Sequence, residues 1–85
     1  MKQLVYFSAP WCQPCKMFGP VVDQFVADNN VQLIKVNIDE TPQIAIDNDI
    51  TSIPVLILME EDTILHRVNG AKPRPFLDKN LVPLI

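Results

Sequence analysis

Hydrophobic spacing along the chain switches between a two-residue and a helical period, and the switches fall on prolines, asparagines and a glycine. Gln3 to Ala9 contains Leu4-Val5-Tyr6-Phe7, a short β-rich apolar run that predicts a central strand, and Pro10 ends it. Pro14 stands where a missing N–H costs nothing, in the first turn of a predicted helix. From there to about Asn29, Phe18, Val21, Val22, Phe25 and Val26 recur at helical spacing. Pro20 predicts a kink in that helix, and Asn29-Asn30 stops it. Val31 to Asp39 alternates, with Ile34, Val36 and Ile38 on one face and Leu33, Lys35 and Asn37 on the other, the pattern of a strand.

Thr41-Pro42 has the form of an N-cap and a first-turn proline, opening a short helix through about Asn48. Ser52-Ile53-Pro54 interrupts the chain before Val55-Leu56-Ile57-Leu58-Met59, a fully apolar run suited to another central strand. After the polar turn Glu60-Glu61-Asp62, Thr63 to Asn69 is a last strand ended by Gly70, and Pro73 and Pro75 start a final helix carrying Phe76, Leu77 and Leu81. The predicted order is βαβαββα. A helical connection makes the first two strands parallel with a right-handed crossover, and the short turn makes the last two antiparallel. The consistent solution is an α/β fold: a mixed four-stranded sheet with helices on both faces.

Composition narrows the function classes. At 85 residues and 48% apolar, the chain is expected to form one domain, 1–85, with a real core. The net charge of −3 is spread along the chain without a basic block, which argues against nucleic acid as a partner. The apolar runs are too short for a membrane span, and Met1-Lys2 leads directly into a strand pattern instead of a leader, so a cytoplasmic monomer is the expectation. In that compartment a lone dithiol reads as a cycling pair rather than a staple.

Both cysteines of the chain lie in Trp11-Cys12-Gln13-Pro14-Cys15-Lys16, between the first strand and the first helix. Two thiols at this spacing can close into a disulfide and reopen. Cys12, at the helix N-terminus, has unpaired N–H groups and the positive end of the helix dipole to stabilise a thiolate, and Lys16 adds a positive charge one turn on. Cys12 is therefore the expected attacking sulfur and Cys15, facing inward, the resolving one, with Gln13 and Pro14 tuning the potential. The competing readings are a chance pair of buried thiols and a metal site. Zinc needs four ligands, and beyond the two sulfurs only His66 offers a usual nitrogen.

The stretch from Ala9 to Pro20 resembles the active-site segment of the thioredoxin family. Lys35-Val36-Asn37-Ile38-Asp39 resembles that family's next strand, Asp49 to Pro54 the loop ending in its cis-proline, and Asn69-Gly70-Ala71 the loop beside its substrate groove. The resemblance covers nearly the whole chain. It implies a thioredoxin-like fold and reduction of protein disulfides through Cys12 and Cys15, without a cofactor and with a partner such as thioredoxin reductase. It also implies a cis Ile53–Pro54 bond that sets the preceding backbone against the sulfurs, where an extended substrate pairs by β-type hydrogen bonds. Trp11, Pro14, Ile53, Pro54, Gly70 and Ala71 would then bind substrate, with Trp11, Pro14, Ile53 and Ala71 forming an apolar patch around Cys12.

Three departures qualify the resemblance. The family's N-terminal strand and helix do not precede the active-site strand here, so Val31–Asp39 is expected at a sheet edge, with Lys35 as a gatekeeper against association. Tyr6 stands where the family has a buried aspartate, while Lys35, the partner lysine, is retained. Either the Tyr6 hydroxyl meets Lys35 near Cys15, or Tyr6 packs while Lys35 reaches solvent. Gln13 replaces the family's usual glycine, and Val55 its common threonine. Two other classes compete: a glutaredoxin-like, glutathione-dependent reductase and a redox-independent protein-binding module. Trp11 before Cys12, Ile53 before Pro54 and the lack of a glycine pair after the last strands all argue against the glutaredoxin. A periplasmic or secreted oxidant is disfavoured by the absence of a leader pattern.

Overall fold

Strands β1 (Lys2–Ser8) and β3 (Val55–Glu60) have almost no polar face, and they occupy the centre of the sheet. The computed structural model describes residues 1–85. Its four strands lie in the order β2-β1-β3-β4, with β2 spanning Gln32–Asn37 and β4 Thr63–Asn69. The β1–β2 pair is parallel, and the β1–β3 and β3–β4 pairs are antiparallel, as the connections require. A strand buried on both sides must be apolar at successive positions, which accounts for Leu4 to Phe7 and Val55 to Leu58.

Helices cover the two faces unequally. Helix α1 (Gln13–Asn29) and helix α3 (Arg74–Asn80) pack Phe18, Val22, Phe25, Val26 and Leu77 against Leu4, Tyr6, Leu56, Leu58 and Val68. Helix α2 (Pro42–Asp47) covers Val5, Phe7, Val36, Val55 and Ile57 from the other side through Ala45. α1 continues through the exposed Pro20, and Asn30 closes it in the left-handed conformation at φ 52°, its N–H bonded to the Val26 carbonyl. α3 begins at Arg74 behind Pro73, and a 3₁₀ turn, Val82–Leu84, follows it.

Two local expectations are modified. Thr41 precedes α2 but forms no side-chain cap; its hydroxyl donates instead to the Asn37 carbonyl at 3.2 Å, tying the loop back to β2. Lys35, on the edge strand, is not free: its Nζ pairs with Asp23 Oδ1 on α1 at 3.0 Å. β2 does form one edge of this sheet. No helix is long and apolar enough to cross a membrane.

Candidate active site

The chain leaves β1 at Ser8, turns at Pro10 and enters α1 at Gln13, so Cys12 becomes the N-cap residue. Its backbone is extended (φ −87°, ψ 109°) and its N–H donates to the Ala9 carbonyl at 3.1 Å. Its Sγ takes the place that a serine or aspartate oxygen fills in most caps, accepting the Cys15 N–H at 3.2 Å. No acidic residue occupies the first turn, so nothing nearby in the helix opposes negative charge on that sulfur. Cys12 and Cys15 are joined as a disulfide with Cα atoms 5.3 Å apart, and each is 5% exposed, packed among Ala9, Ile38 and Ile53.

A cleft of about 460 Å³ opens over Cys12, lined by Trp11, Gln13 and Pro14 on one side and by Ile38 and the segment Ile50–Ile53 on the other. Cys12 lines it and Cys15 does not. Trp11 is 65% exposed, and its indole Nε1 donates to Asp39 Oδ2 at 3.0 Å, so it is a cleft wall rather than a core residue. Asp39 is held in turn by its N–H donating to Asn37 Oδ1 at 2.9 Å.

The opposite wall starts where α2 ends. Asp49 adopts φ 57°, with its N–H bonded to the Ile46 carbonyl at 3.1 Å and the Ile50 N–H to the Ala45 carbonyl at 2.9 Å. This is a Schellman closure with aspartate in the position usually taken by glycine. The Ile53–Pro54 peptide bond is cis. The Pro54 carbonyl accepts the Gly70 N–H at 2.8 Å, and Gly70 sits at φ 87°, a conformation that requires glycine.

The expected patch around Cys12 is divided. Trp11, Pro14 and Ile53 share the Cys12 cleft, whereas Ala71 lines a neighbouring hollow with Met17, Val21, Lys72 and Pro73, beyond the ridge formed by Gln13 and Pro14. Gly70 lines neither and acts through its bond to Pro54, which is itself buried. Ile38, Ile50, Thr51 and Ser52 complete the cleft lining, and Asp39 holds the Trp11 indole, without any of them having been singled out as site residues. The strand alternation around Ile38 and the resemblance of Asp49–Pro54 to the family's cis-proline loop were the usable signals.

Tyr6 and Lys35 stand opposite each other in the β1–β2 register, yet their polar ends part. The Tyr6 hydroxyl donates to the Cys15 carbonyl at 2.9 Å, its ring edge-on to Phe18 at 5.9 Å, while Lys35 turns outward to Asp23. Burial, reinforced by the Asp23 charge, pushes the Tyr6 phenol up to about 12. Tyr6 is thus a fixed hydrogen-bond donor that anchors the backbone of Cys15 and cannot serve as its base near neutral pH. Lys16 is exposed on α1 and its N–H donates to the Cys12 carbonyl at 3.3 Å. His66 stands opposite Leu58 on β4, and no group of three or more His, Cys, Asp or Glu side chains is placed to hold a metal.

The family model described as Thioredoxin matches residues 1–82. The chain belongs to the thioredoxin family. Thioredoxin 1 of Nostoc sp. is 41% identical over 80 residues, a match covering 92% of this chain and 75% of that protein. Thioredoxin of Staphylococcus aureus is 38% identical over 85 residues, covering 93% and 82%. Among solved structures, the thioredoxin of Nicotiana alata superposes with a TM-score of 0.88 at 31% identity, over 96% of this chain and 71% of its own. With its cysteine pair closed at the head of α1, this thioredoxin-family chain is a thiol–disulfide oxidoreductase of the disulfide-reductase type.

Proposed function

We propose that this single-domain protein works as a cytoplasmic, monomeric reductant of disulfides in extended polypeptide segments that lie in the cleft between Trp11 and Ile53. The observation that carries this reading is the placement of Cys12 at the cleft floor with Cys15 behind it. In the dithiol form the Cys12 thiolate attacks one sulfur of the substrate disulfide, forming a Cys12–substrate bond and releasing the other substrate sulfur as a thiolate. Cys15 then attacks Cys12 Sγ, releases the second substrate thiolate and leaves Cys12–Cys15 oxidised. Two electrons pass to the substrate, and a reductase, of which thioredoxin reductase is the family's example, returns them. The cysteines themselves carry the electrons, so the cycle uses no added cofactor. Gln13, Pro14 and Lys16 surround the attacking sulfur and tune its charge. Ile53 and Pro54, with Gly70 bonded behind them, present the backbone on which the substrate chain docks.

The test is covalent trapping. Cys15→Ser, mixed with oxidised insulin, should accumulate a mixed disulfide through Cys12, whereas Cys12→Ser should form none. Trapping by the second variant and not the first would exchange the two roles. Titrating the pair against a glutathione couple fixes the direction of flow: a value near the −270 mV or so typical of thioredoxins supports a reductant, and one of about −120 to −180 mV an oxidant or isomerase.

A further inference from the structure

Arg67 lies on β4 opposite Ile57, on the side of the sheet that α2 covers. Its guanidinium spans to the end of α2, where Nη1 donates to the Asn48 carbonyl at 2.9 Å and Nη2 to the Asp49 carbonyl at 3.0 Å. Nε donates to Asn69 Oδ1 at 3.0 Å, which fixes the plane of the group. Two successive carbonyls met by one planar fork is a geometry that lysine, with a single ammonium, cannot reproduce. These are charge-assisted bonds, and they lie at the negative end of a helix, where a cation is favoured.

The next residue after Asp49 is Ile50, the first of the wall Ile50–Ile53 that faces Trp11 across Cys12. That wall is consequently tied at both ends, once to β4 and once to Gly70, the residue that follows it. At its far end the tie is the backbone bond from Gly70 to Pro54, which needs no particular side chain on β4. At its near end it is the Arg67 side chain. Arg67 does not line the cleft, and none of its hydrogen bonds goes to a cysteine.

We propose that Arg67 is a positioning residue that holds the Ile50–Ile53 wall at the distance from Cys12 that a docked polypeptide requires, and so governs selectivity for chain substrates rather than reactivity of the sulfurs. This rests on the reading that the cleft receives an extended polypeptide. The experiment compares wild type and Arg67→Ala on two substrates, insulin and the small aryl disulfide dithionitrobenzoate, which needs only an accessible Cys12. KM for insulin should rise about tenfold in the variant, the scale of losing one charge-assisted hydrogen bond, with kcat nearly unchanged. Turnover of the aryl disulfide and the Cys12–Cys15 potential should stay at wild-type values. Amide exchange at Asp49 and Ile50 should accelerate. Arg67→Lys should recover only part of the insulin KM.

Equal losses on both substrates, no loss on either, or full recovery by Arg67→Lys would overturn the proposal. Should Arg67→Ala not fold, Asn69→Ala, which frees the guanidinium plane while keeping its charge, should raise the insulin KM by a smaller factor, and no rise would reject the role. If wild type reduced the aryl disulfide but not insulin, the substrate reading would fail by itself. The amide exchange at Ile50 would then decide the positioning role: acceleration in Arg67→Ala supports it, and wild-type exchange rejects it.

Discussion

On one face of the sheet, α1 and α3 enclose Leu4, Leu56 and Leu58 together with Val22, Phe25, Leu77 and Leu81, all with no measurable exposure. On the other, the six-residue α2 contributes Ala45 alone to the buried set, and beside it Ile34 and Ile44 remain 39% and 42% exposed around an apolar hollow of about 250 Å³. The same two central strands supply both faces. The contrast separates two jobs: the face under α1 and α3 carries most of the packing that keeps the chain folded and anchors the cysteine helix. The α2 face, packed more lightly, carries the loop that forms the second wall of the cleft. Most of the fully closed packing and the second wall of the cleft thus lie on opposite sides of one sheet.

The comparison breaks most visibly at Phe25. Phe25→Ala should cost about 3–5 kcal/mol in urea unfolding, because the void lies in a core closed on all sides and Arg74 loses the ring it stacks on at 5.2 Å. A loss below about 1 kcal/mol would mean that this face is not the stabilising one. Tyr6→Phe should cost about 1 kcal/mol near neutral pH, the net value of the bond to the Cys15 carbonyl. Its pH dependence has a definite sign. The folded phenol titrates above its ordinary value of 10.0, so its contribution is complete below that pH and is lost as pH climbs toward about 12. Tyr6 is the chain's only tyrosine, so phenolate absorbance reads it directly, and a midpoint near 10 would contradict the burial. At the small end, Ile44→Ala on the α2 face should change stability by less than about 1 kcal/mol, and a core-sized loss there would erase the asymmetry.

The strands, helices and their order were legible because each has a clean period and a marked end. Pro10, Asn30, Pro42 and Gly70 all fall at or beside element boundaries. Strand pairing followed from connection lengths. The cysteine chemistry was equally legible, since its parts are contiguous. What escaped were contacts between residues far apart in sequence. Trp11 bonds Asp39, Arg67 bonds Asn48 and Asp49, and Ala71 falls on the far side of the Gln13–Pro14 ridge. Tyr6 and Lys35 show the limit within a single register pair. Periodicity places them on one face, but which partner each polar end takes depends on where α1 sets the Cys15 carbonyl and Asp23. No local pattern encodes that.

The strand order β2-β1-β3-β4 has a consequence for how function fails. Cys12 and Cys15 belong to one helix head that follows β1 directly, whereas the Ile50–Ile53 wall reaches them only while β3 lies against β1 and β4 against β3. Any opening that peels the β3–β4 hairpin away leaves two nearby sulfurs still able to exchange with whatever disulfide diffuses past. With the cleft receiving polypeptide chains as proposed, what disappears is discrimination. Heat, denaturant or a weakened hairpin should therefore turn this protein first into an unselective dithiol, and only later into an inactive one.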